Sequence, residues 1–299
     1  MDNLTKTLLI INGNAGQKNL QRSLETIVPI LAAAHPKLLI LQTEKPSDAE
    51  NFCRTYGREA DAIYIYGGDG TVHECINGIA PLEKQPRIAI LPGGTCNDFA
   101  RTLNIPLNLK AACEALVNGK EMLVDAAAVN DDYYLNFWGI GLITEASNNI
   151  DGNQKALLGK ISYFLSAFKT VQQIEPFSFK LMVDGEEIED KAVMILAANG
   201  QYIGTNLLPY PGISIQDGKA DIFILKETNL SVIKDILNMR GSEAWDNTGS
   251  SILHFQGSQI SISTESEMEA DTDGEVYGKT PAMITVKKQH LRMAVPAEE

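Results

Sequence analysis

The stretch that most constrains the fold is Tyr66-Gly67-Gly68-Asp69-Gly70-Thr71. It joins an apolar, β-branched run, Ala62-Ile63-Tyr64-Ile65, to a helix-like segment, Val72-His73-Glu74-Cys75-Ile76-Asn77. Three glycines around one aspartate directly after a strand make a loop whose backbone can come close to a ligand. Its amides, with the positive end of the following helix, form an anion site. An aspartate in that place would repel a phosphate, so it implies a bridging cation or water. The same residues also suit a tight strand-to-helix turn with an N-cap aspartate, and the loop alone leaves both readings open.

The surrounding chain repeats the strand–loop–helix pattern. Thr7-Leu8-Leu9-Ile10-Ile11 reads as a buried strand ending in the turn-rich Asn12-Gly13-Asn14-Ala15-Gly16. Leu20, Leu24, Ile27, Val28 and Leu31 recur at helical spacing. Lys37–Leu41 is a second strand, ending at Gln42-Thr43, and Ser47-Asp48-Ala49-Glu50 starts a helix that runs to about Glu59. Arg87-Ile88-Ala89-Ile90-Leu91 is a strand, followed by a second glycine loop, Pro92-Gly93-Gly94-Thr95. A short helix over Cys96–Arg101 and another over Leu109–Val117 follow. Such alternation predicts a largely parallel sheet with helices on both faces, and ligands at the C-terminal ends of its strands.

After about residue 125 the texture changes to short β-like runs: Tyr133–Trp138, Phe177–Val183, Val193–Ala197, Ala220–Leu225, Gln259–Ser263 and Met283–Val286. Asp184-Gly185 between two such runs is a hairpin signal. A single long helix, roughly Lys155 to Gln172, interrupts them. The expected fold is an α/β nucleotide-binding domain with a mostly parallel sheet over residues 1–125, completed by a C-terminal return at about 288–299. Residues 126–287 form an antiparallel, β-sandwich-like domain.

Charge narrows the partners. The chain of 299 residues carries a net charge of −13. Residues 1–125 hold 12 Lys+Arg against 14 Asp+Glu (−2), and the remainder 13 against 24 (−11). Broad attraction to nucleic acid is therefore not expected, and tight adhesion to an anionic membrane would need a local basic patch. No run of 18 apolar residues exists, and the N-terminus lacks a basic stretch followed by an apolar one. The expectation is a cytoplasmic protein. Cys53, Cys75, Cys96 and Cys113 show no metal-site spacing and read as free thiols.

The second loop echoes the first: Gly93-Gly94-Thr95 offers amides and a hydroxyl, and Asp98 opens the next helix. Two such loops on neighbouring strands are far more specific than one. With Leu91-Pro92-Gly93-Gly94-Thr95-Cys96-Asn97-Asp98-Phe99-Ala100-Arg101, Asn199-Gly200, Gln216-Asp217-Gly218 and Asp273-Gly274-Glu275, the chain resembles the diacylglycerol kinase catalytic-domain superfamily. Its soluble bacterial lipid kinases look closest, and the resemblance spans nearly the whole chain.

That resemblance implies ATP-dependent phosphorylation of a lipid hydroxyl, with diacylglycerol, giving phosphatidic acid, as the leading acceptor. By this likeness Asn12, Gly13, Asn14, Ala15, Gly16 and Thr43 line the nucleotide. Gly67, Gly68, Gly70, Thr71 and Glu74 wrap its phosphates, and Gly94 and Thr95 add a further contact. Asp69 and Asp98 look like the acidic pair that holds catalytic Mg2+, directly or through water. Glu275 matches the family's proton acceptor, with Asp69 as a rival for that role and Asp273 as a ligand or an orienting group. Asp217, with the backbone carbonyls of Ser214 and Lys219, matches a second, structural metal site. From residues alone Asp217-Gly218 and Asp273-Gly274 each also read as a plain turn.

His73 and Cys75 depart from the family's usual residues. His73 is expected on the helix surface or behind the site, and Cys96 as a small packing residue. The apolar segment 155–169 is either a core-packed helix or the flank of a lipid-entry cleft, with Lys155, Lys160 and Lys169 at headgroups. The expected partner is a membrane lipid met by transient peripheral contact at the inner membrane surface. A free strand edge would support a homodimer. The rivals are a nicotinamide-nucleotide kinase, which shares the Gly-Gly-Asp-Gly-Thr loop, and a catalytically silent lipid-binding protein.

Overall fold

A computed structural model describes residues 6–13, 17–144, 175–227, 247 and 250–297. The chain divides into two compact units, Met1–Val124 with Gln289–Glu299, and Asp125–Lys288. The predicted helix over 155–172 lies outside the described residues, as do Asn14, Ala15 and Gly16.

The first unit contains β1 (Lys6–Asn12), α1 (Gln17–Ala34), β2 (Lys37–Thr43), α2 (Asp48–Tyr56), β3 (Ala62–Gly67), α3 (Asp69–Ile79), β4 (Arg87–Pro92), α4 (Asp98–Thr102) and α5 (Leu109–Val117). Its strands run in the order β2-β1-β3-β4, all parallel. β3 is buried at all six positions, as an inner strand covered on both faces must be, which is why it reads as an unbroken apolar run. The helix expected to reach Glu59 stops at Tyr56 and tightens into a 3-10 turn over Gly57–Glu59. Glycine is a poor interior helix residue, and it marks that break. Leu9, Ile10, Ile63 and Ile65 from the strands, with Ile27, Leu31, Ile76 and Ile79 from the helices, are fully buried. Each contributes about 1.5–3 kcal/mol of transfer free energy.

The second unit is antiparallel. Its strands are β5 (Lys120–Val129, entering from the first unit), β6 (Asp132–Tyr134), β7 (Phe137–Gly141), β8 (Phe177–Val183), β9 (Glu186–Ala192), β10 (Met194–Ala198), β11 (Tyr202–Ile203) and β12 (Asn206–Leu207). They continue with β13 (Ala220–Leu225), β14 (Ile252–Gly257), β15 (Gln259–Thr264), β16 (Glu269–Thr272), β17 (Glu275–Lys279) and β18 (Ala282–Val295). One sheet has the order β14-β13-β10-β7-β16-β17, and the other contains β18-β15-β8-β9, with β5 beside β18 and β6 beside β5. Side chains alternate between the faces of β10: Ile195 and Ala197 enter the core shared by the two sheets, and Leu196 and Ala198 enter a second apolar layer. The six-stranded sheet is thus covered on both sides, which explains why β13 is buried at every position. Asp184 and Gly185, at φ 48° and 94°, form the predicted β8–β9 hairpin turn.

Two expectations are corrected. The run Tyr133–Trp138 is two strands, β6 and β7, because Leu135 and Asn136 leave the ladder to donate their amides to the Asp273 carboxylate. The strand expected at 283–286 and the C-terminal return expected from about 288 are one strand of 14 residues, β18. It has a left-handed residue, Gln289 (φ 49°), where it passes from one unit to the other. Beyond it Met293 pairs in parallel with Ile88 of β4, so the chain returns to the first sheet.

Candidate active site

Because β1 to β4 are parallel, their C-terminal ends share one edge of the first sheet. There the register sets Asn12 opposite Thr43 and Gly67 opposite Pro92. Hydrogen bonds tie these ends together. Gly13 N donates to Thr43 Oγ1 at 3.2 Å, and Asn12 Nδ2 donates to Thr71 Oγ1 at 3.1 Å. Gly93 N donates to Gly67 O at 3.0 Å. Of the predicted nucleotide contacts, the structure therefore links Asn12, Gly13, Thr43 and Thr71, with Gly67 packed against Thr71.

The two glycine loops touch. A Cβ on Gly94 would lie 2.5 Å from the Cα of Gly68, so this approach is open only to glycine. Gly70 differs, since a Cβ there would meet nothing within 4 Å and its φ is not left-handed. Packing does not require glycine at 70. The space over the first turn of α3 stays open, next to the positive end of that helix. Thr95, next to Gly94 in sequence, is exposed.

Asp69 joins the loops. Its Oδ2 accepts from Asn97 N at 3.0 Å and its Oδ1 from Asp98 N at 2.8 Å. Asp98 itself is buried, and Thr102 Oγ1 donates to its carbonyl at 3.2 Å. The Asp69 carboxylate thus sits against the backbone of Asp98, the residue expected to share Mg2+ with it. An ionised carboxylate is an oxygen donor of the kind a hard cation takes. This suits magnesium held partly through its own waters. Among the described residues no three His, Cys, Asp or Glu side chains converge as a metal site, so the rest of such an ion's shell would be waters and phosphate oxygens.

Glu74, expected against the phosphates, reaches α2 with one carboxylate oxygen. Its Oε2 accepts from Ala49 N at 3.2 Å, capping α2, whose Ser47 makes no side-chain cap. His73, expected at the surface or behind the site, is buried and pairs with Asn77 at 3.3 Å.

In the second unit Glu275 opens β17 directly after a turn in which Asp273 and Gly274 have φ 53° and 98°. The plain-turn reading of Asp273-Gly274 is therefore right locally, and the turn also presents Glu275. It is held from both sides. Asp271 Oδ1 accepts from Gly274 N at 2.7 Å. The Asp273 carboxylate accepts from Leu135 N (3.1 Å), Asn136 N (2.8 Å) and Phe137 N (3.2 Å). Burial, and secondarily the Asp273 charge, push the Tyr134 phenol far up.

Asp217 Oδ1 accepts from Lys219 N at 3.0 Å, and Ser214 Oγ accepts from Gln216 N at 3.2 Å. Burial raises the Asp217 pKa above the usual carboxylate range, and the Asp221 and Asp125 charges add to the rise. Two more residues thus belong to this neighbourhood than the sequence suggested. Asp125 accepts from Gly218 N at 2.7 Å, and Asp221 is paired with His254 Nε2 at 2.7 Å and Gln256 Nε2 at 2.8 Å. A carboxylate held among other carboxylates is a fitting donor for a hard cation.

Fold and site define a two-unit protein with glycine loops at the end of a parallel sheet and a β-sandwich bearing an Asp-Gly-Glu turn. The diacylglycerol kinase catalytic domain family matches residues 6–129, and the YegS C-terminal NAD kinase beta sandwich-like domain family matches residues 140–295. The chain belongs to the diacylglycerol kinase catalytic-domain family. It is 36% identical over 287 residues to proteins of Staphylococcus aureus strains JH9 and Newman provisionally named lipid kinases, covering 94% of each chain. It also resembles crystal structures from Bacillus anthracis str. Sterne. One, provisionally named a diacylglycerol kinase, has a TM-score of 0.86 and 44% identity over 97% of this chain and 95% of that one. Another, titled as a diacylglycerol kinase, has a TM-score of 0.85 and 42% identity over 99% and 98%.

Proposed function

We propose that the protein transfers the γ-phosphoryl group of ATP to the hydroxyl of a membrane lipid, with diacylglycerol as acceptor and phosphatidic acid as product. The observation that carries this reading is the junction of the two glycine loops. Asp69 fastens them together while Gly70 leaves the backbone of α3's first turn open to a polyphosphate. Gly67, Gly68, Gly70, Thr71, Gly94 and Thr95 hold the phosphates, and Asn12, Gly13 and Thr43 line the rest of the nucleotide, with Asn14, Ala15 and Gly16 assigned on sequence alone. Asp69 and Asp98 hold Mg2+, which when bound neutralises charge on the transferring group. Glu275 accepts the proton of the lipid hydroxyl, and Asp217 with the carbonyls of Ser214 and Lys219 holds the structural cation. Such an acceptor entails transient contact with a membrane surface. No helix among the described residues is long and apolar enough to cross one.

The name of the second matching family favours one competing acceptor, a nicotinamide nucleotide. Offering diacylglycerol in vesicles and NAD together with γ-labelled ATP separates the two. The account expects label in lipid, and label confined to NADP would replace it.

A further inference from the structure

We propose that Asn199 is a positioning residue for Glu275, acting through a backbone strap formed by Leu135, Asn136 and Phe137. The proposal rests on the reading of Glu275 as proton acceptor.

The strap is the stretch where β6 gives way to β7, and all six of its backbone polar groups are accounted for. Its three amides go to one carboxylate, that of Asp273. The Phe137 carbonyl accepts from Asp273 N at 3.0 Å, which closes the strap onto the Glu275 turn. The other two carbonyls face Asn199. Its Nδ2 donates to Leu135 O at 2.7 Å, and its backbone N and that of Gly200 both donate to Asn136 O at 2.8 Å. Asn199 and Gly200 therefore grip one side of the strap and Asp273 the other. Glu275 follows Asp273 by two residues, across a turn whose dihedrals leave little slack.

Two further observations indicate a mount built for geometry. A Cβ at Gly200 would stand 2.8 Å from Asn136 Oδ1 and 3.0 Å from Asn136 Cα, so the grip leaves no clearance. The side-chain oxygens of Asn136 and Asn199 are both buried without a hydrogen-bond partner. Buried polar atoms of this kind lower stability, and they mark places where position is kept at stability's expense. Asn199 touches neither donor nor acceptor in this account; it acts by fixing where the Glu275 carboxylate stands.

The test compares the full-length wild type, Asn199→Ala, Glu275→Gln and the double variant. Turnover is followed with ATP and diacylglycerol in mixed micelles. We expect Asn199→Ala to lower kcat about tenfold or more, with KM for ATP changed less than about twofold. In the Glu275→Gln background it should add less than about a twofold loss, because two residues acting as one unit are non-additive. Gly200→Ala should reproduce this pattern through the Asn136 clash, and it stands in if Asn199→Ala does not fold. Equal factors in both backgrounds, or an unchanged kcat in Asn199→Ala, would overturn the positioning role while leaving the base in place. Wild-type turnover by Glu275→Gln alone would overturn the base assignment, and the proposal with it.

Discussion

The Asp69 carboxylate accepts the backbone amide of Asp98 at 2.8 Å, and its second oxygen takes the amide of Asn97 at 3.0 Å. One acidic side chain therefore docks the second glycine loop onto the first. Asp69→Asn replaces two acceptor oxygens with one and turns an N–H donor toward a donor. The expected cost is about 1–3 kcal/mol of stability and at least about 100-fold in turnover. Thermal denaturation and the steady-state rate check these independently, and an unchanged melting temperature would deny the docking role.

Gly70 and Gly94 separate ligand space from packing space. Gly70→Ala adds a methyl where nothing lies within 4 Å, at a helical position where alanine is favoured by up to about 1 kcal/mol. Its stability should be unchanged or higher and its nucleotide affinity lower. Gly94→Ala drives a Cβ to 2.5 Å from Gly68 Cα, so it should lose stability and nucleotide binding together. Calorimetric titration with a non-hydrolysable ATP analogue, beside melting curves, distinguishes the two outcomes.

The proposed cation at Asp217 predicts a stability that depends on pH and on divalent ions. Its folded pKa is raised by burial, with Asp221 and Asp125 adding to the rise. The stability linked to this group is thus fully present below the unfolded pKa and is lost as pH rises through the folded value. A cation at Asp217 reverses that loss, so added Mg2+ or Ca2+ should raise the melting temperature more at pH 7 than near pH 4. Asp217→Asn should raise the melting temperature in chelator at pH 7 and abolish the increment from divalent ions. An increment that survives in Asp217→Asn would place the ion elsewhere.

The parallel half was legible because its inner strands β1, β3 and β4 are apolar runs that end at or directly before a glycine, so their ends mark both the fold and the candidate ligand edge. β3 running into Gly67 is the clearest case. The edges of the sandwich were less legible. β16, Glu269-Ala270-Asp271-Thr272, has two acidic side chains in four residues and lacks a strand's apolar signature, yet it is buried at three of four positions because it pairs with β7. Asp125 was not singled out, and Asn199 was only part of a motif with no role attached, for a different reason. Their partners are backbone groups of Gly218, Leu135 and Asn136, far away in sequence, and a backbone amide or carbonyl leaves no trace in residue type. Glu74 lies in the phosphate-loop region by sequence, but its direction is set by the uncapped end of α2, which only the packed fold shows.

The most direct test of lipid phosphorylation at the glycine-loop junction uses γ-labelled ATP, Mg2+ and vesicles containing diacylglycerol, with wild type and folded Asp69→Asn compared. The account predicts label in the organic phase as phosphatidic acid with wild type and at least about 100-fold less with Asp69→Asn. Equal labelling by the two proteins would contradict it. So would a wild type that labels no lipid when diacylglycerol, phosphatidylglycerol, a sphingoid base and a polyprenol are each offered.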